Sequence, residues 1–163
     1  MKRHIVFLLI FCGLLGCSKS SEVTPSTTNS NGYVSMKING VLWKSSIGAG
    51  AITAGDFSGT GALDGTTGKE VLAMVMANCS TVGTIYKFED ASNRIFQFSR
   101  QGLKVNYFIT KDTKGSSGIF TITKTKVLGT LTYANATFSG TAVGSDGTKI
   151  IITEGQIVNA QVN

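Results

Sequence analysis

Alternating oxygen-bearing side chains at Asp56, Ser58 and Thr60, followed by Gly61 and Asp64, are the closest this 163-residue chain comes to a metal-binding pattern. Oxygens at every second position open a calcium loop, but its twelfth position must carry a bidentate glutamate and here carries Thr67. Asp56 and Asp64 are therefore weak metal candidates. Acid–base catalysis asks for two groups that converge on one point with separated pKa values. Glu89 and Asp90 are adjacent, so a turn exposes both to water and a strand sends them to opposite faces. Glu70 and Asp112 have no partner nearby in sequence. The chain has one histidine, His4, and shows no Gly-x-Ser-x-Gly, phosphate-loop or zinc spacing. These residues nominate no catalytic group and no cofactor, and the expectation is a protein that is not an enzyme.

Cys17 has the clearest chemical prospect. Lys2 and Arg3 precede an apolar stretch at positions 5–15, which closes on Leu14-Leu15-Gly16-Cys17. That stretch is too short to cross a bilayer as a helix and reads as the apolar region of a secretory signal. The segment resembles a bacterial lipoprotein signal. The resemblance implies cleavage between Gly16 and Cys17, a diacylglycerol on the Cys17 thiol and an acylated new amino group. The expected organisation is a signal peptide at 1–16, a lipidated cysteine and flexible linker at 17–32, and one folded domain at 33–163.

Without residues 1–16 the chain keeps 147, enough for a single domain with a proper core. Fifteen Lys and Arg stand against nine Asp and Glu; Lys2 and Arg3 leave with the signal, so the mature net charge is +4. The basic residues are scattered singly, which argues against a nucleic-acid groove. Cys12 lies in the signal and Cys17 carries the lipid, so Cys79 has no partner for an internal disulfide. It ends the apolar run Met74-Val75-Met76-Ala77-Asn78-Cys79 and reads as a small buried hydrophobe. Residues 18–32 hold the only proline and one large apolar residue, and cannot offset their ordering entropy by burial. As a coil of about 15 residues they reach roughly 20 Å.

Elements that could position functional groups begin at Tyr33. Val34, Met36 and Ile38 alternate with polar residues, Asn39-Gly40 interrupts, and Val41-Leu42-Trp43 resumes, a strong hairpin signal. Period-two patterns recur at Leu103–Ile109, at Val127, Gly129, Leu131 and Tyr133, and at Ala136, Phe138, Gly140 and Ala142. The run at 71–77 is apolar on both faces and predicts a central strand covered on both sides. Towards the C-terminus, strands are expected at 118–124, 126–133, 136–143, 149–154 and 156–162. Asp146-Gly147 marks a turn and Glu154-Gly155 a bend or bulge. The fold class is all-β: one antiparallel β-sandwich or flattened up-and-down barrel of about 9–10 strands. Barrels of this kind can hold a small ligand, and Trp43, Phe96, Phe98 and Tyr107 are the candidate lining residues. A domain of this size also needs its rings for its own core, which is the better use of them. Phe108 shares a strand face with Lys104 and Asn106 and is either exposed or covered by a second layer.

Met36-Lys37-Ile38-Asn39-Gly40-Val41-Leu42-Trp43 resembles the "V-N-G-x-x-W" opening of small Bacteroidota lipoproteins in a domain-of-unknown-function family. Gly83-Thr84-Ile85-Tyr86 is similar to that group's "G-x-Y" turn. Ser117–Lys124 resembles its "G-T-x-T-I-T-K" strand, and Ala136–Ala142 with Ile150–Val158 its closing hairpin. The resemblance implies an all-β cell-envelope domain and brings no catalytic residues. In many lipoproteins of these bacteria an acidic cluster after the lipid cysteine accompanies surface export. Ser18-Lys19-Ser20-Ser21-Glu22 lacks that cluster, which favours the periplasmic face of the outer membrane. The expected function is a lipid-anchored, non-catalytic binding or structural lipoprotein. Its partners would be the membrane and an envelope protein, a glycan or a small apolar ligand. A lipocalin-like carrier is the alternative, and an envelope hydrolase the least favoured.

Overall fold

The computed structural model describes residues 32–45, 47–65 and 68–159. Residues 1–31, on which the signal-peptide, Cys17 and most of the linker readings fall, lie outside the described residues. Among the described residues eleven strands run in order: β1 (Tyr33–Ile38), β2 (Val41–Lys44), β3 (Ile47–Thr53), β4 (Asp56–Gly65), β5 (Gly68–Met76), β6 (Ile85–Lys87), β7 (Arg94–Arg100), β8 (Val105–Ile109), β9 (Ser117–Leu128), β10 (Leu131–Gly144) and β11 (Lys149–Val158). The fold is all-β, and every ladder between these strands is antiparallel.

Asn39-Gly40 makes the first hairpin. Both residues adopt positive φ, 50° and 84°, and Ile38 pairs directly with Val41. Such a turn matches the right-handed twist of the strands it joins. At its open end Ser45 takes over from the ladder. Its hydroxyl accepts from the Val34 N–H at 2.7 Å and donates to the Val34 carbonyl at 3.1 Å.

The strands form one sheet in the order β2-β1-β11-β10-β3-β4-β5-β7-β8, and β8 returns to β10 through Phe108–Val143 and Tyr107–Gly144. Six strands (β10, β3, β4, β5, β7, β8) therefore close a ring, and closure removes the exposed edges an open sheet would carry. β10 belongs to both layers. One of its edges pairs with β3 at Thr132–Tyr133 and then with β11 from Ala136 to Val143. Its other edge pairs with β9 and then β8.

Asn159 fills the fork between β3 and β11. Its side-chain amide accepts from the Gly50 N–H at 2.7 Å and donates to the Gly50 carbonyl at 2.8 Å and to the Ala134 carbonyl at 2.5 Å. Its own N–H donates to the Asn135 side chain at 2.9 Å. One side chain thus meets backbone groups that neither ladder reaches. Layers approach closely here: a Cβ on Gly48 would sit 2.6 Å from the Tyr33 carbonyl carbon of β1. Glycine is required because backbone, unlike a side chain, cannot swing away.

The core holds Val34, Met36, Trp43, Phe57, Leu72, Met74, Met76, Phe88, Phe96, Phe98, Phe120, Ile122, Phe138 and Ile157. Phe57 meets Phe120 at 4.7 Å between ring centroids, and Phe96 meets Phe138 at 5.8 Å.

Three sequence expectations need correction. β5 is a strand, but only Leu72, Met74 and Met76 turn inward; Ala73 and Val75 are exposed, because among the described residues no second layer covers β4, β5 and β7 outside. The segments 118–124 and 126–133 are not separate strands: β9 runs unbroken to Leu128, and the turn falls at Gly129-Thr130. Segments 149–154 and 156–158 share one strand, the expected break at Glu154-Gly155 being a bulge inside β11 with Glu154 at φ 52°, and residues 160–162 lie outside the described residues.

Two stability effects are expected. Asn159→Ala leaves the Gly50 and Ala134 groups unmet and costs about 1–3 kcal/mol. Gly48→Ala overpacks a backbone contact and costs a similar amount, about 1–3 kcal/mol. In urea unfolding both lower the midpoint without changing the slope; a midpoint equal to wild type for Asn159→Ala would refute the role given to it.

Candidate binding surface

The four aromatic candidates lie in the core. Trp43 is edge-on to Phe98 at 5.4 Å, Phe96 contacts Phe88 at 6.4 Å as well as Phe138, and Tyr107 is buried beside the Gly144 turn. Trp43 and Phe98 are brought together, and all four spend their surface on packing. The Trp43 indole N–H is buried without an acceptor among the described residues. Phe108 is half-buried at the strand pair that closes the ring.

The metal candidates do not form a loop. Asp56 to Gly65 is an extended strand, so Asp56, Ser58 and Thr60 spread along it instead of wrapping an ion. Asp56 is also engaged, its carboxylate accepting the Asn78 N–H at 2.8 Å. The Asp64 side chain and Thr67 lie outside the described residues. Among the described residues, no group of three His, Cys, Asp or Glu gathers closely enough to hold a metal ion.

Other acids have structural partners that sequence spacing did not reveal. Glu70 stands opposite Arg100 on β5 and β7, 2.9 Å from its Nε. Glu89 accepts the Gly118 N–H at 3.2 Å, while Asp90 is exposed near Arg94. The Asp146 carboxyl is held below its ordinary range by the Thr148 hydroxyl and N–H, which cap the Asp146-Gly147 turn.

A hollow of about 310 Å³ opens on the outer face of β9, β10 and β11. Two irregularities create it. β9 and β10 lose register between Asn135 and Ser139, and β10 and β11 lose it between Phe138 and Gly140, opposite the Glu154-Gly155 bulge. A side chain on Gly155 would run into the Phe138 carbonyl, so the bulge tolerates only glycine. The rim and floor carry Thr121, Thr137, Ser139, Glu154, Gln156 and Ile119. Lys37 steadies the rim through a 2.6 Å ion pair with Glu154. Hydroxyls, an amide and one carboxylate over a short apolar strip can hydrogen-bond a hydroxyl-rich or peptide ligand. These groups supply hydrogen-bond donors and acceptors suited to binding. The bend at Glu154-Gly155 was the sequence signal; that it sculpts a surface on a continuous strand was not visible.

Cys79 is buried, its Sγ 3.2 Å from the Ala77 carbonyl. Burial pushes its thiol above the ordinary range, against a downward pull from Arg94. No family model, curated protein or solved structure matches the chain.

The raised Cys79 pKa links stability to alkaline pH. Below the ionisation of the unfolded thiol, near 8.5, its contribution is complete. As pH rises through the higher folded value the contribution is lost. Urea unfolding of wild type and Cys79→Ala from pH 7 to 10 should show the wild-type advantage shrinking above pH 8.5; an advantage that grows would contradict the assignment.

Proposed function

We propose that the chain is a lipid-anchored lipoprotein of the cell envelope, held at the periplasmic face of the outer membrane, whose β domain binds or braces a partner without catalysis. The observation that carries this reading is Leu14-Leu15-Gly16-Cys17 closing an apolar stretch behind Lys2 and Arg3. Membership of the Bacteroidota domain-of-unknown-function group is part of the same proposal and rests on the strand motifs from Met36 to Val158.

The architecture supports a passive role. A closed ring packed with aromatic rings is a rigid scaffold, and its irregular features face outward, where a partner can reach them. The hydroxyls, the Gln156 amide and the Glu154 carboxylate, set in a largely apolar surface, suit an envelope glycan or a peptide segment at the hollow on β9–β11. The carrier alternative needs an enclosed cavity lined by Trp43, Phe96, Phe98 and Tyr107, and those rings are packed against the core.

Metabolic labelling with palmitate tests the anchor. Wild type takes up label and Cys17→Ala does not; equal label in the two would overturn the reading. Protease added to intact cells tests orientation: the periplasmic placement leaves the chain uncut until the outer membrane is opened, and prompt cleavage places it on the surface.

A further inference from the structure

The β9–β10 hairpin ends in a ribbon whose composition is graded along its length. From Thr123 to Leu131 every residue is exposed, including Val127 at 69%, Leu128 at 43% and Leu131 at 47%. Leu128 and Leu131 face each other at the tip. Behind them on the same face stands the pair Lys126–Tyr133, and behind that Lys124–Asn135. Apolar side chains at the tip, then an aromatic with a polar end and a lysine, then a second lysine, is the order of polarity met on entering a bilayer interface. Lysine stems can lie along the apolar layer while their charges reach anionic headgroups.

The register shows which end of the molecule this is. Tyr33 pairs with Val158, and Ile157 pairs with Ala136, so the chain enters β1 level with Asn135. β1 runs in the same direction as β10, so β1 begins at the end of the molecule from which Leu131 projects. The tip lies four residues beyond that level, about 14 Å along the strand. Fifteen residues lie between Cys17 and Tyr33, and a coil of about that length reaches roughly 20 Å, enough to let the tip meet a membrane that holds Cys17. A second group of exposed apolar residues, Val41, Leu42 and Ile151, sits at the opposite end. Ile151 pairs with Thr141, ten residues from Leu131 and about 34 Å away along β10.

We propose that the tip formed by Val127, Leu128 and Leu131, backed by Lys124, Lys126 and Tyr133, docks onto the anionic surface of the bilayer that anchors the chain. This rests on the lipid-anchor reading. It adds a second membrane contact, which stands the domain with the hollow on β9–β11 alongside the tip and the Ile151 end pointing away.

Fluorescence depth measurement tests it on the acylated protein in vesicles of phosphatidylethanolamine and phosphatidylglycerol, with plain or brominated acyl chains. Trp43 is 4% exposed and out of reach of lipid bromines, so wild type sets the baseline. In Leu128→Trp, brominated chains should cut the added emission about twofold or more, and in Ile151→Trp they should leave it unchanged. Lys124→Gln with Lys126→Gln, or raised salt, should weaken the quenching. Leu131→Trp replaces Leu128→Trp if circular dichroism shows that the latter is unfolded. Equal quenching at positions 128 and 151, or none at 128, overturns the tip contact. So does a blue shift at 128 without quenching, which would mark a second copy or another protein as the occupant. Wild type released from the vesicles would count against the anchor; anchored protein with unquenched Trp at 128 counts against the tip alone.

Discussion

Where β10 passes from β3 to β11, one strand edge has to serve two partners in turn. The backbone groups between them must be met by something other than a ladder. Asn159 supplies that something, with donor and acceptor on one planar amide placed between Gly50 and Ala134. The fork lets β10 stay paired while β3 turns away to begin the ring, and it lets β11 and β1 lie over β3 and β4. It also demands small residues. The inward positions of β10 read Ala134, Ala136, Phe138, Gly140, Ala142 and Gly144, with one large side chain among six. A bulkier face would hold the layers apart, and Phe138 could not then reach Phe96.

The parts of this fold written in the sequence are those where one face is buried and the other wet. Val34, Met36 and Ile38 alternate, and do so in the structure, because the core lies on one side of β1 and water on the other. Asn39-Gly40 was legible because its backbone conformation restricts residue choice. Legibility fails where burial does not differ between faces. Around Gly129 both faces of the ribbon are exposed, so the Val127–Tyr133 alternation carries no information about facing and passes straight through a turn. On β5 the opposite error arises: Val75 is apolar yet exposed, because it packs across the strand pair against Ile95 and not beneath a second layer. The hollow on β9–β11 was half legible. Glu154-Gly155 announced a break, while Thr121, Thr137, Ser139 and Gln156 converge only through strand pairing, which local patterns do not encode. Asn159 left no signal, since its role depends on contacts 25 and 109 residues away.

Aromatic residues were ambiguous for a related reason. A ring that lines a ligand cavity and a ring that fills a core occupy the same inward positions on a strand. What separates them is whether neighbouring positions are large enough to close the space. Here Phe57, Phe88 and Phe120 join Phe96, Phe98 and Phe138, and the small face of β10 brings the layers near enough for these rings to touch. Small residues on one strand thus decide the use of large residues on the others. Irregular surface is consequently displaced to the outside, at the bulges where pairing breaks and at the ribbon that outruns the core.

On the proposed reading, that displacement fits a protein fixed to a membrane by its first residue. Joining a lipid and a domain by a short segment makes any further membrane contact intramolecular, with an effective concentration of about millimolar for a flexible link. A tip of three apolar side chains and two lysines would bind a bilayer only marginally by itself. Under that effective concentration a marginal contact is enough to be occupied. Its consequence would be orientation more than retention, because on this reading the acyl chains would already hold the molecule in place. A tethered domain without such a contact presents all its faces to a partner in turn. One that rests on its tip presents the outer face of β9, β10 and β11 at a constant angle and height above the lipid.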